Sequence, residues 1–194
     1  MIQRFPAQPA QAQQQPDPVQ LLDAVAAEVA VCTRCDLSMG RKTAVPGEGA
    51  PRPPVLFVGE GPGEEEDRTG RPFVGAAGKY LDKWITAAGL ERGACFIANC
   101  VKCRPPQNRE PHPDELTACL PYLERQIAVL EPRVICCLGR IASHALLSTS
   151  ASLGDLRGRV HDRNGIPVVV TYHPSAVLRD QGLRAAVWQD LKVL

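Results

Sequence analysis

The sequence predicts an α/β protein, a three-layer α/β/α sandwich around a central, mainly parallel four-stranded sheet. Three observations carry this. Short apolar runs recur at 55–58 (VLFV), 95–99 (CFIAN), 134–138 (VICCL) and 168–171 (VVVT). None has the polar alternation of a half-exposed strand, so each reads as buried on both faces. Stretches of helical periodicity separate them, the order that a parallel sheet with crossover helices requires.

The elements follow in order. Residues 1–17 are Gln, Pro and Ala with little to bury, and are expected to form a flexible tail ahead of one domain at 18–194. Residues 18–31 have helical spacing and lead into Cys32 and Cys35. Residues 36–53 read as loop and 59–71 as a long turn. A helix is expected at 75–88, with Leu81, Trp84 and Ile85 on one face and Gly89 as its stop. A proline-rich basic loop at 100–113 precedes a long helix at 114–130, which Pro121 should kink or divide. Gly139 opens a short helix at 140–147. Residues 160–161 and 168–171 flank Asn164-Gly165 as a hairpin or adjacent strands. A last helix begins near Leu183.

Composition narrows the function. The 194 residues are 44% hydrophobic with a net charge of +1, so no global basic field demands a nucleic acid. No apolar stretch reaches the ~18 residues of a membrane span. With no apolar signal core at the N-terminus, a cytoplasmic protein is expected. In a reducing compartment the eight cysteines point to metal before disulfides.

Sites in parallel sheets form at the carboxyl ends of strands. Segments 59–67 (GEGPGEEED), 99–109 and 173–179 fall there. The glycine turn resembles a phosphate loop, but it lacks Gly-Lys-Ser/Thr and is followed by Glu64, Glu65, Glu66 and Asp67. Two like charges ~4 Å apart cost about 4 kcal/mol at an effective dielectric of 20, which argues against a bound pyrophosphate. Bare backbone N–H groups and room for a flat ligand suit a neutral heterocycle instead.

Cys32 and Cys35 form half of a four-thiolate site. Cys95, Cys136 and Cys137 lie in apolar strands and read as small hydrophobes. Cys103, in a loop, and Cys119, in a helix, complete the set, with Cys100 competing with Cys103. Zinc and an iron–sulfur cluster accept the same ligands.

Taken together these segments resemble the family 4 uracil-DNA glycosylases, bacterial and archaeal repair enzymes with a [4Fe-4S] cluster. The matching pieces are the CxxC at Cys32/Cys35, VLFVGEGPGEEED, TGRPFVGAAG at 69–78, NCVKCRPPQNREP at 99–111, Cys119, and HPSAVLR at 173–179. The resemblance implies excision of uracil from DNA to leave an abasic site, by a monomer without membrane attachment that hands its product to abasic-site repair enzymes. It implies Cys32, Cys35, Cys103 and Cys119 as cluster ligands. Phe73 would stack on the flipped uracil, Asn99 would bond N3 and O4, and His173 would donate to O2. Glu60, Gly61 and Pro62 would line the pocket. Lys102, Arg104, Ser175, Leu178 and Arg179 would contact DNA. The best-known uracil glycosylases place a water-orienting Asp where Gly61 stands, so Glu66 is expected to take that part here, ahead of Glu64 or Asp67. They also carry a thymine-excluding Tyr where Gly63 stands, which leaves that exclusion to Glu60 and the pocket wall. A crosslinking relative uses a His in a Lys-Arg-Arg-Ile-His loop. No such run occurs here, and His112 follows Glu110-Pro111, which favours hydrolysis. The competing reading is an iron–sulfur DNA-docking module without hydrolysis.

Overall fold

The computed structural model describes residues 17–194. Of the expected tail, all but Asp17 lies outside the described residues. Asp17 caps the first helix, α1 (Pro18–Val31), by accepting the N–H of Val19 at 3.0 Å. Next come α2 (Leu37–Gly40), β1 (Glu48–Gly49), β2 (Val55–Gly59), α3 (Glu64–Thr69), α4 (Ala76–Ala87), β3 (Phe96–Asn99) and α5 (Pro113–Leu130). Then follow β4 (Val134–Leu138), α6 (Arg140–Leu147), α7 (Leu153–Leu156), β5 (Val160–Arg163), β6 (Ile166–Thr171), α8 (Pro174–Arg179) and α9 (Arg184–Leu191).

The sheet has six strands rather than four, in the order β1-β3-β2-β4-β6-β5. The four central strands are the apolar runs and are parallel. The additional strands are antiparallel edges. Neither carries an apolar run: β1 is two residues long, and β5 alternates exposed with half-buried residues.

Alternate residues of the parallel strands face two separate cores. Leu56, Val58, Ile135, Cys137, Val168 and Val170 pack against Leu123, Ile127 and Leu130 of α5 and Ala142 and Leu146 of α6. Val55, Phe57, Ile97, Cys136 and Leu138 pack against Leu81, Trp84 and Ile85 of α4, Val177 of α8 and Val187 and Leu191 of α9. A sheet covered on both faces needs apolar residues at every strand position, which explains the unalternating runs.

Three local expectations change. The 36–53 loop contains α2 and β1. The long turn contains α3, where four acids in the first turn meet the positive end of the helix dipole. Helix α5 runs through Pro121 undivided. Pro121 and Thr117 lie on its exposed side, so water can take the carbonyl that the proline leaves without a donor.

Candidate active site

The strand ends build one cleft of about 540 Å³. Glu60, Gly61 and Pro62 follow β2 and form one wall. Asn99 ends β3, Gly139 follows β4 and His173 follows β6, and all three line the same space. The N–H of Cys100 donates to the Gly59 carbonyl at 3.0 Å and that of Val101 to Glu60 at 3.1 Å, which holds the two loop entries side by side.

Asn99 is 1% exposed, and its Oδ1 has no hydrogen-bond partner among the described residues. Leaving a buried acceptor unpaired costs about 1–3 kcal/mol, so this amide stands ready for a donor on a ligand. Its own NH2 supplies a donor beside that acceptor. Space for the amide depends on Gly59, where a Cβ would run into Asn99 Oδ1 and sit 2.6 and 2.8 Å from atoms of the Phe73 ring.

Phe73 closes another side. It is 5% exposed, and its ring centroid lies 5.6 Å from that of His173. Its φ is +51°, a left-handed conformation that costs a bulky residue roughly 1–2 kcal/mol. Neighbouring groups hold it there. Glu66 Oε1 accepts the N–H groups of Val74 and Gly75, each at 2.8 Å. Helix α4 approaches so closely that a Cβ at Gly78 would run into the Phe73 carbonyl.

His173 is half-buried. Its Nδ1 accepts the N–H of Ser175 at 3.2 Å and lies 2.8 Å from Ser175 Oγ. With Nδ1 accepting, the neutral ring carries its proton on Nε2. Desolvation lowers its pKa to about 4; the charge of Arg179 adds to this and that of Glu66 opposes it. Between the ordinary value of 6.5 and about 4 the unfolded chain therefore binds more protons than the folded one. The stability contributed by a neutral His173 is complete above that window and is lost as pH falls through it. Thermal melting between pH 7 and 4 should show this acid limb, and His173→Gln should flatten it.

The acidic run divides its work. Glu64 and Glu65 are exposed, and Glu65 pairs with Arg68 at 2.7 Å. Asp67 is buried and accepts the N–H of Lys42 at 2.8 Å and of Thr43 at 3.4 Å. Glu66 lines the cleft and takes a third backbone donor, the N–H of Gly63 at 3.1 Å on Oε2. Both of its oxygens are thus engaged in fixing the turn and the Phe73 loop. Glu60 differs: burial, then the charge of Glu110, raise its pKa against the opposing charge of Arg140.

The expected DNA contacts separate. Ser175, Leu178 and Arg179 lie together on α8; Leu178 and Arg179 are exposed, and Ser175 and Arg179 line the cleft. Arg104 bonds Asn108 at 2.8 Å and faces Glu64 at 3.7 Å. Lys102 is a correction. It is 1% exposed, and its Nζ donates to the Asn99 carbonyl at 2.9 Å and to Gln126 Oε1 at 2.7 Å, so it cannot reach a phosphate. Its place in a basic loop suggested exposure; its partners lie on β3 and α5.

Away from the cleft, Cys32, Cys35, Cys103 and Cys119 line one small cavity, drawn together from the turn after α1, the loop after β3 and α5. Cys100 packs in the sheet core instead. Burial raises the pKa of the Cys103 thiol and lifts that of Cys119 to about 11; opposing it, Arg41 Nη1 donates to Cys103 Sγ at 3.0 Å and the Lys102 N–H to Cys119 Sγ at 3.2 Å. Arg34 lies 4.2 Å over the ring of Tyr122 at the same cavity. Among the described residues no group of three or more His, Cys, Asp or Glu is gathered for a single ion. Four thiols from three segments around one space form a donor set compatible with an iron–sulfur cluster.

Sequence reasoning missed Arg92, Arg41 and Arg34. Each acts through a partner remote in sequence; Arg34 lies inside the Cys32/Cys35 motif, whose spacing marks only the cysteines.

A layered α/β sheet with a cleft at its strand ends, lined by a buried amide, an aromatic ring and a neutral histidine, defines a base-binding class of protein. The uracil DNA glycosylase superfamily model matches residues 46–192, and the chain belongs to that superfamily. It is similar over most of its length to type-4 uracil-DNA glycosylases. It is 46% identical over 180 residues to the type-4 uracil-DNA glycosylase of Sulfurisphaera tokodaii, covering 88% of this chain and 82% of that one. It is 48% identical over 168 residues to that of Pyrobaculum aerophilum (82% and 86%), and 43% over 177 residues to that of Thermotoga maritima (89% and 92%).

Proposed function

We propose that this chain is a DNA repair glycosylase that flips uracil out of DNA and hydrolyses its N-glycosidic bond, releasing uracil and leaving an abasic site. The observation that carries this reading is the buried, unpaired Oδ1 of Asn99 facing the cleft. Uracil offers N3–H and O4 on adjacent positions, matching an amide's acceptor and donor. Cytosine reverses both, and a site built for one pattern rejects the other by roughly 10⁴–10⁵ when its buried polar groups are left mispaired. Extrusion of the base from the stack costs a few kcal/mol. Phe73 stacks on the extruded ring.

As the C–N bond breaks, its electron pair passes to the uracil and positive charge grows on the sugar. His173 Nε2–H donates to O2, where the negative charge collects. A water then attacks the sugar carbon and gives up a proton. Glu60 suits that proton, because burial raises its pKa and it lines the cleft. Glu66 positions the walls. Glu60→Gln is therefore expected to lower kcat about 10²–10⁴-fold with little change in KM. Glu66→Gln should change both constants, because it sets an NH2 against the Gly63 N–H. The two steady-state profiles separate these roles.

The thiols of Cys32, Cys35, Cys103 and Cys119 would hold a [4Fe-4S] cluster, which when bound supplies a rigid cross-link between the turn after α1, the loop after β3 and α5. Cys103→Ser should abolish the visible absorption of the purified protein and lower its melting temperature. Ser175, Leu178, Arg179 and Arg104 would face DNA at the rim. No helix among the described residues is long and apolar enough to cross a membrane. The reading extends to a single catalytic unit at 18–194 that works as a monomer in the cytoplasm, with its abasic product consumed by a later repair reaction.

The test is a denaturing gel of a labelled oligonucleotide carrying one uracil, incubated with protein and then hot alkali. Alkali-dependent scission at uracil, absent with thymine or cytosine, is expected. A slow, denaturation-resistant band would mean covalent capture. No change, with cluster-loaded protein, would mean a docking module.

A further inference from the structure

We propose that Arg92 is a positioning residue for the base-stacking ring, acting through the backbone on either side of Phe73. Arg92 stands in the short turn before β3 and is not among the residues that line the cleft. Its guanidinium reaches back to the loop that carries Phe73. Nη2 donates to the Pro72 carbonyl at 2.7 Å and Nη1 to the Phe73 carbonyl at 3.1 Å. The same two nitrogens are anchored from behind, Nη1 by Asp82 at 2.7 Å and Nη2 by Glu48 at 3.1 Å. Glu48 is itself tied to Arg71 at 2.8 Å.

The arrangement brackets one residue. Arg92 takes the carbonyls of Pro72 and Phe73, and Glu66 takes the next two N–H groups, those of Val74 and Gly75. Phe73, between them, has the left-handed φ of +51°. A bulky residue persists in that region only where its surroundings over-determine it. A planar fork with fixed donors can hold two successive carbonyls, whereas a lysine's single ammonium cannot hold both and keep two carboxylates. Arg92 therefore fixes the plane of a ring that it does not contact.

The proposal rests on the reading that Phe73 stacks on uracil, and the experiment separates the two. The readouts are the inhibition constant of free uracil and the melting temperature, measured on cluster-loaded wild type, Phe73→Ala, Arg92→Met, Arg92→Lys and the double variant Phe73→Ala/Arg92→Met. Arg92→Met is expected to weaken uracil inhibition about tenfold, within the range that coupled groups show. In the Phe73→Ala background it should cause no further loss. Arg92→Lys, which keeps the charge and guards against a misfolded Met variant, should also weaken inhibition while holding the melting temperature. Unchanged inhibition in folded Arg92→Met, equal losses in both backgrounds, or full function in Arg92→Lys would each overturn the proposal. Undiminished uracil inhibition in Phe73→Ala would instead remove the stacking reading beneath it.

Discussion

His173→Ala is expected to lower kcat about 10²–10³-fold, the loss found when one donor to a developing oxyanion is removed. KM should change far less, since the charge on O2 exists only as the bond breaks. The structure gives the donor its form. Ser175 occupies Nδ1, so the proton sits on Nε2, and desolvation holds the pKa near 4, so the ring is neutral at working pH. A neutral donor does not lose its proton to the leaving base, whose charge it only stabilises. His173→Gln retains an N–H donor on a shorter reach and should recover part of the rate. Single-turnover rates for the two variants check this: an Ala variant within a few-fold of wild type would take His173 out of the transition state.

Asn99→Ala is expected to lower kcat/KM on uracil about 10²–10⁴-fold, from the loss of two hydrogen bonds in a dry pocket. The same substitution removes the mismatch that rejects cytosine, so the uracil-to-cytosine ratio should collapse with the rate. Parallel single-turnover assays on uracil- and cytosine-containing single strands measure both. Selectivity that survives the loss of the amide would move base reading to another wall of the cleft.

Much of this was legible in the sequence. The unalternating runs at 55–58, 95–99, 134–138 and 168–171 required a sheet covered on both sides, and the order of helices between them made it parallel. Of the two edge strands, β1 escaped because it is two residues long, whereas β5 was marked by the Asn164-Gly165 turn and pairs antiparallel with β6 as that hairpin requires. Topology put Glu60, Asn99 and His173 at strand ends, the family resemblance added Phe73, and the structure brings all four to one cleft. What spacing could not convey was which polar groups turn inward. Lys102 and Arg104 share one basic loop, yet Lys102 is buried against Asn99 and Gln126. Spacing did not separate the four acids after Gly63 into anchors and surface; Glu66 and Asp67 are buried anchors and Glu64 and Glu65 are exposed, a division decided by the pitch of α3. The left-handed Phe73 and its clamp at Arg92 depend on contacts across the fold, which no local pattern records.

The most direct measurement is competition of the glycosylase reaction by free uracil and by 3-methyluracil. The methyl group removes the N3–H that Asn99 Oδ1 is placed to accept and leaves O2, O4 and the stacking face intact. Uracil is expected to inhibit, and 3-methyluracil to inhibit at least 10²-fold more weakly, roughly the cost of an unpaired buried acceptor and a crowded pocket. Equal inhibition by the two would contradict the assignment of Asn99 as the reader of the base and, with it, the chemistry assigned to the cleft.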